Sequence, residues 1–135
     1  MECIRISGSS GNDTISGMAG NDTLTGWAGA DRFVFNTAPN AASNLDTVSD
    51  FSSGTDTLVL AHSAFSSLQA GSLDASSLLS GAGVTTAADA NDFLIYNTTT
   101  GTLYYDPDGN GATAPTQFAT LSGHPALAAT DFVIS

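Results

Sequence analysis

The chain of 135 residues carries thirteen acidic side chains, two arginines and no lysine, which gives a formal net charge of −11 at pH 7. This charge excludes nucleic acid as a partner, because binding to phosphates needs a basic face, and no apolar run is long enough to span a membrane. All but one of the acids are Asp, which favours loops, turns and metal sites over helical surfaces, and the single Cys excludes an internal disulfide.

Three nine-residue units follow one another near the start, beginning at Gly8, Gly17 and Gly26. Each unit has glycine at its first and fourth positions, Asp at its sixth and a large apolar residue at its eighth, and Ile6 extends the apolar register backwards. The glycines allow tight turns that a Cβ would penalise, and one apolar residue per unit can fill a narrow core. Nonapeptide repeats of this pattern predict a parallel β-roll that binds calcium between its loops.

Two units make one turn of such a roll, so successive loops alternate between its two sides. The loops Gly8–Asp13 and Gly26–Asp31 should stack on one side and leave Gly17–Asp22 alone on the other. Backbone carbonyls and the carboxylates of Asp13 and Asp31 would line the pocket between the stacked loops. These oxygen ligands suit Ca²⁺ better than Mg²⁺, which demands a tight octahedron, and zinc would require the Cys or His that the repeats lack.

Residues 8–34 resemble the RTX family of calcium-binding nonapeptide repeat proteins, whose pattern is G-G-x-G-x-D-x-U-x with U apolar. The resemblance implies that backbone carbonyls at the first and third positions join the Asp carboxylates as ligands. The implied ligands are Gly8, Ser10, Asp13, Gly17, Ala19, Asp22, Gly26, Ala28 and Asp31. One departure is systematic, because Ser9, Met18 and Trp27 replace the second glycine of the pattern. The alternative interpretation is an ordinary series of Gly/Asn/Asp turns in a β-protein.

Two further strands are predicted within residues 45–60, separated by a turn at Ser53-Gly54. Residues 46–51 (DTVSDF) and 54–60 (GTDTLVL) resemble the segments that cap the roll in RTX proteins such as the serralysin-type proteases. This resemblance makes Asp46, or Asp50, the expected partner of the otherwise unpaired loop Gly17–Asp22. Alternatively, both are solvated acids at a strand edge.

Residues 106–111 (DPDGNG) form a second candidate calcium loop. They match the first half of an EF-hand loop through Asp106, Asp108 and Asn110, but Gln117 stands where a bidentate Glu would close the site. The flanking segments predict strands, so an acidic hairpin connection without metal is the favoured alternative. The remaining predicted elements are short helices over Ser63–Leu68 and Ala75–Leu79 and a hairpin over residues 93–105.

The chain ends with one carboxylate, Asp131, before the apolar residues Phe132, Val133 and Ile134 and a minimal tail. Beside the repeats, this ending resembles the uncleaved C-terminal signal of type I secretion substrates, which implies a type I exporter as a partner. A terminal strand beginning at Asp131 has the same pattern. Residues 1–20 show no Sec-type signal peptide and the chain opens within the repeat register, so we expect the C-terminal piece of a longer protein or a short member of its class.

The sequence lacks the Gly-x-Ser-x-Gly and His-Glu-x-x-His motifs, and we expect no enzymatic activity. It predicts an all-β protein, with a short parallel β-roll of calcium-binding repeats over residues 1–36 and a β-rich cap with hairpins and a terminal secretion signal over 37–135. We expect the chain to be secreted, to stay unfolded through self-repulsion in the cytoplasm, and to fold on Ca²⁺ outside the cell with the roll forming first. Alternatives are the non-catalytic C-terminal part of a secreted protease or lipase, or a calcium-dependent adhesive surface.

Overall fold

The computed structural model describes residues 4–40, 42 and 44–135, so the first three residues of the predicted roll lie outside the described part. The described strands are β1 (Arg5–Ser7), β2 (Thr14–Ser16), β3 (Thr23–Thr25), β4 (Arg32–Phe35), β5 (Asp46–Val48), β6 (Thr57–Leu60), β7 (Gly71–Ser72), β8 (Leu78–Gly81), β9 (Leu94–Asn97), β10 (Thr102–Tyr105), β11 (Thr116–Leu121) and β12 (Phe132–Ile134). Helical structure in the same residues is limited to two 3₁₀ segments, Ala75–Ser77 and Ala129–Asp131. Neither is long and apolar enough to cross a membrane. The predicted all-β class is confirmed.

The strands form two sheets that share one core. The first has seven strands in the order β1-β3-β5-β11-β10-β9-β8, and the second has five in the order β2-β4-β6-β12-β7. The first four strands of each sheet run parallel. The chain therefore passes back and forth between the sheets and builds a parallel roll, in which the described part makes four turns.

One apolar side chain from each strand of the roll fills its interior. Those of the first sheet are Ile6, Leu24, Val48 and Leu121, and those of the second are Ile15, Phe33, Leu58 and Phe132, each in register with the next. All are buried except Ile6 at the open end, which is partly buried. Because full burial of such a side chain stabilises by about 1.5–3 kcal/mol, this column of residues fixes the register of the roll.

The roll extends beyond the repeats that predict it. The division drawn at residue 36 does not coincide with a break in either sheet, because β5 and β6 form the third turn and β11 and β12 form the fourth. Longer loops precede these strands, so their apolar positions no longer fall nine apart in the sequence. The segments expected to cap the roll are therefore part of it.

Residues 61–115 connect the third turn to the fourth and extend both sheets. The predicted hairpin is confirmed, since β9 and β10 pair in antiparallel fashion. The helix predicted over Ser63–Leu68 is wrong, because these residues form turns. The helix predicted over Ala75–Leu79 is confirmed only for the 3₁₀ segment Ala75–Ser77, because β8 begins at Leu78. Ser-rich segments have a weak preference for helix, and parallel pairing of β8 with β9 overrides it.

An aromatic cluster holds this connection against the roll. Phe65 packs edge-on against Tyr105 and Phe118, with ring centroids 5.0 Å apart in both pairs. Phe118 packs in the same way against Phe35 of β4, at 5.5 Å. Each such pair stabilises by about 0.5–1.5 kcal/mol beyond the burial of its surface. The connection and the roll therefore belong to one core.

Candidate metal centre

Aspartate side chains line both sides of the roll, where the chain passes from one sheet to the other. On the first side, the N–H of Asp13 donates to Oδ1 of Asp31, and the N–H of Asp31 donates to Oδ1 of Asp56, both at 2.9 Å. On the second side, the N–H of Asp22 donates to Oδ1 of Asp46, also at 2.9 Å. One oxygen of each accepting carboxylate therefore ties its loop to the preceding turn.

The other carboxylate oxygen, Oδ2, is buried in Asp22 and Asp31 and has no hydrogen-bond partner. Both residues are only 1% exposed. Gly17 and Gly26, the first residues of the same units, make room for these oxygens, because a Cβ at either position would overlap Oδ2. A buried carboxylate oxygen without a partner is unfavourable unless a cation neutralises it. The two oxygens mark one place on each side of the roll where a cation would be stabilised.

The donors around these oxygens fit a hard cation. Nowhere in the described residues do three Asp, Glu, His or Cys side chains converge. Carboxylates would therefore act in pairs, Asp13 with Asp31 and Asp22 with Asp46, and backbone carbonyls would supply the remaining ligands. Ca²⁺ accepts about six to eight oxygen ligands of this mixed kind.

Comparison with known families assigns this part of the chain. Residues 5–36 match the family model of the RTX calcium-binding nonapeptide repeat, in four copies. This segment is an RTX repeat array. The family predicted from the glycine and Asp spacing is confirmed, and the match begins at Arg5, three residues before the first unit that the glycines define. No curated protein matches the chain.

The RTX loops place the predicted ligand residues at two depths. The first-position glycines Gly8, Gly17 and Gly26 lie against the carboxylate of their own unit. The third-position residues Ser10, Ala19 and Ala28 are exposed. Asp13 is half-buried, and its Oδ2 accepts the N–H of Ser9 at 2.6 Å. Among the three units, Oδ2 is therefore buried without a hydrogen-bond partner only in the deeper carboxylates, Asp22 and Asp31.

Two of the three residues that depart from the RTX pattern have a strained backbone. Met18 and Trp27, which replace the second glycine, have φ of 63° and 68°. This left-handed conformation is free of penalty for glycine but costs about 1–2 kcal/mol for other residues. The two side chains point into solvent, with 59% and 64% of their surface exposed.

Asp46 and Asp50 take different places in the roll. Asp46 is buried beside Asp22, so the loop Gly17–Asp22 does have a neighbour on its side of the roll. The expectation that Asp50 could fill this place is wrong. Asp50 follows β5 and lies on the opposite side, where its oxygens accept the N–H groups of Gly26 at 2.9 Å and Trp27 at 2.7 Å.

The environment of Asp46 makes its carboxyl group harder to ionise than an exposed aspartate. Burial raises the pKa of Asp46 from 3.8 to about 6, and the nearby Asp22 carboxylate adds to the rise, although the hydrogen bond from the Asp22 backbone lowers it. Two carboxyl groups are thus held together in a poorly solvated place. A divalent cation between them would remove both the burial penalty and the repulsion.

Asp56 lies next to Asp31 on the first side of the roll, and sequence reasoning missed it. Its Oδ1 accepts from Asp31 and its Oδ2 accepts the N–H of Ser52 at 2.9 Å, so both oxygens have partners. The signal was present, because Gly54-Thr-Asp56 before β6 repeats the Gly-x-Asp that precedes the strand in every RTX unit. Asp56 fastens the third turn to the second without needing a metal.

The loop of residues 106–111 has the geometry of a hairpin connection. Asp106 is buried, whereas Asp108 and Asn110 are exposed. Asp108 accepts the N–H of Thr113 at 3.0 Å, and this bond lowers the pKa of Asp108. Burial raises the pKa of Asp106. The carboxylate of Asp108 is thus engaged by its own turn, and Gln117 lies in β11, as the strand interpretation of the flanks predicted.

Proposed function

We propose that this chain is a calcium-binding module that folds when Ca²⁺ enters its RTX loops outside the cell, and that it has no catalytic role. The observation that supports this most directly is the pair of buried, unpartnered Oδ2 atoms of Asp22 and Asp31 within matched calcium-binding repeats. Without a cation these oxygens oppose folding. With a cation they become ligands.

The proposal includes two ions at least. The first lies between the loops Gly8–Asp13 and Gly26–Asp31 and is bound by Asp13, Asp31 and loop carbonyls. The second lies on the other side of the roll and is bound by Asp22, Asp46 and loop carbonyls. Asp50 and Asp56 hold backbone N–H groups with both oxygens and support the loops without binding metal.

Calcium concentration would decide where the chain folds. The net charge of −11 opposes a compact state until cations reduce it. Extracellular modules bind Ca²⁺ with Kd of roughly 10⁻⁴–10⁻³ M, so each ion stabilises by on the order of 1 kcal/mol at millimolar calcium. At cytosolic calcium this contribution disappears.

Export through a type I exporter fits the same scheme. The C-terminal residues Asp131, Phe132, Val133 and Ile134 would be the signal, read while the chain is unfolded. In the folded protein the last three of them form β12, and Phe132 and Ile134 are buried. The exporter would therefore have to engage the tail before Ca²⁺ completes the roll.

A calcium titration followed by far-UV circular dichroism tests the proposal. β-Signal should appear with Ca²⁺, disappear with EGTA and fail to appear with equal Mg²⁺. Asp22→Asn and Asp31→Asn should each raise the midpoint at least tenfold, whereas the exposed Asp89→Asn, a charge-matched control, should leave it unchanged. Full β-signal in EGTA, or equal response to Mg²⁺, would refute the proposal.

A further inference from the structure

The free edge of the seven-stranded sheet has unpaired backbone groups that calcium binding does not use. β8 is the last strand of this sheet and pairs with β9 alone in the described structure. At the end of that parallel pair, the C=O of Gly81 accepts the N–H of Thr98 at 3.0 Å. Because neighbouring residues in a strand direct their backbone groups to opposite sides, Ser80 directs its N–H and C=O away from β9.

The β8 edge lacks the features that usually prevent pairing with another molecule. Exposed edges are normally guarded by charged side chains, proline or bulges. β1 contains Arg5, β2 follows directly on Asp13, and β7 ends two residues before Asp74. β8 has no charged residue or proline within three positions on either side, and the side chain of Ser80 is exposed.

We propose that β8 is a self-association edge, which pairs in antiparallel fashion with β8 of a second copy of this chain. The pair is centred on Ser80. The N–H of Ser80 in each copy donates to the C=O of Ser80 in the other copy, as in a hydrogen-bonded antiparallel pair. In the same register, Leu78 C=O faces the N–H of Ala82 in the second copy. The two seven-stranded sheets then form one continuous sheet across a twofold axis.

The distribution of charge favours a second copy of this chain as the partner at the β8 edge. The molecule carries −11, so most of its surface repels another copy of itself. Residues 75–88 contain no charged side chain, so two copies can meet along this edge without bringing carboxylates together. A cationic partner, in contrast, would gain nothing here and would bind the acidic loops.

Sedimentation velocity in millimolar Ca²⁺ tests the proposal. As protein concentration rises into the hundreds of micromolar, the weight-average mass should rise from 13.6 kDa towards twice that value. Ser80→Asp adds a charge at the centre of the pair and should keep the protein monomeric. Ser72→Asp, the matched control, adds the same charge to β7 at the edge of the other sheet and should leave the dimer intact.

Circular dichroism of each variant in calcium separates loss of pairing from loss of folding. Ser80→Asp should keep the wild-type spectrum and calcium midpoint, because the side chain is exposed and its backbone groups do not bond to β9. Ser80→Pro, which removes the outward N–H, should give the same monomer. A wild type that stays monomeric throughout, a Ser80→Asp protein that still dimerises, or equal loss in Ser72→Asp would each overturn the proposal, whether or not calcium drives folding.

Discussion

The two oxygens of the buried Asp22 and Asp31 carboxylates have different surroundings. In Asp22 and Asp31, Oδ1 accepts a backbone N–H from the preceding turn, whereas Oδ2 has no hydrogen-bond partner. Glycine at the first position of the unit makes this division possible, since any side chain there would displace Oδ2. The RTX pattern of Gly and Asp five residues apart is thus one steric unit.

Gly26→Ala should weaken calcium binding at least tenfold, because its Cβ would overlap Oδ2 of Asp31. Gly11→Ala is the matched control within the repeats. The nearest atom to a Cβ there is Oγ of Ser9 at 3.9 Å, so this substitution should shift the calcium midpoint little. Isothermal titration calorimetry of both variants makes the comparison, and equal weakening would contradict the steric explanation.

The pKa of Asp46 predicts that the calcium-free protein becomes less stable as pH rises. Its folded-state value of about 6 lies above the unfolded value of 3.8, so between these limits the folded state binds more protons than the unfolded state. The free energy of unfolding should therefore fall from pH 4 to pH 6 and stay low above it. At about 1.4 kcal/mol per pKa unit, the Asp46 contribution is on the order of 3 kcal/mol.

The folded fraction in calcium-free buffer, followed by far-UV circular dichroism between pH 4 and pH 7, measures this dependence, and it should be larger at pH 4 than at pH 7. Asp46→Asn cannot ionise and should flatten the dependence between pH 4 and 6. Asp89→Asn, at an exposed position, should keep it. If Asp46→Asn keeps the wild-type pH dependence, the explanation is wrong, because a carboxylate other than Asp46 is then responsible for the loss of stability.

At the scale of elements, the C-terminal strand completes the roll. β12 pairs with β6 in parallel and with β7 in antiparallel fashion, and it forms one half of the fourth turn. Asp131 precedes it and fastens the third turn, with Oδ1 accepting the N–H of Gly54 at 2.9 Å and Oδ2 accepting the hydroxyl of Ser53 at 2.7 Å. The carboxylate before three apolar residues thus has a structural role in the folded protein.

Removal of residues 132–135 should prevent folding even in saturating calcium. Leu58 and Leu60 of β6 would lose their neighbours Phe132 and Ile134, each worth about 1.5–3 kcal/mol. Asp131→Asn should be milder and cost about 1–3 kcal/mol by weakening its bonds to Ser53 and Gly54. Thermal unfolding in calcium compares both with the wild type, and a truncated chain that melts normally would rule out this role of β12.

At the scale of the whole molecule, the buried carboxylate oxygens without a hydrogen-bond partner in the described residues all lie in the RTX units. Asp50, Asp56 and Asp131 in the third and fourth turns bond backbone or hydroxyl groups, whereas Asp22 and Asp31 in the RTX units retain a free oxygen. Three of the four rings of the aromatic cluster, Phe65, Tyr105 and Phe118, also belong to the C-terminal part. This distribution favours an order of folding opposite to the one expected from the sequence, with the C-terminal part providing the template for the repeats.

Hydrogen exchange at sub-saturating calcium should show this order. Amides of β9, β10 and β11 should gain protection first, and those of β1 to β4 should gain it only as calcium approaches saturation. The exchange pattern is read by mass spectrometry of peptides from the two parts. Simultaneous protection of both parts would mean that calcium and the C-terminal core act as one cooperative unit.

The sequence by itself determined the repeat family, the all-β class, the parallel roll and the two-sided arrangement of its loops. It did so because a nine-residue period forces Gly, Asp and one apolar side chain into fixed positions of each half-turn. The period also led directly to Asp22 and Asp31. The nine-residue period did not identify Asp56, because the loop before β6 differs in length and places Asp56 outside that spacing.

Only the tertiary structure decided how the roll is finished. Parallel strands pair between residues far apart in sequence, so nothing local shows that β11 and β12 follow β5 and β6, or that β8 joins the sheet where a helix was expected. Asp46 and Asp50 lie on opposite sides of the roll. Which of them lies beside Asp22 also depends on the half-turn to which each belongs. Local pattern sets the chemistry of each loop, whereas the stacking of distant turns sets which carboxylates meet.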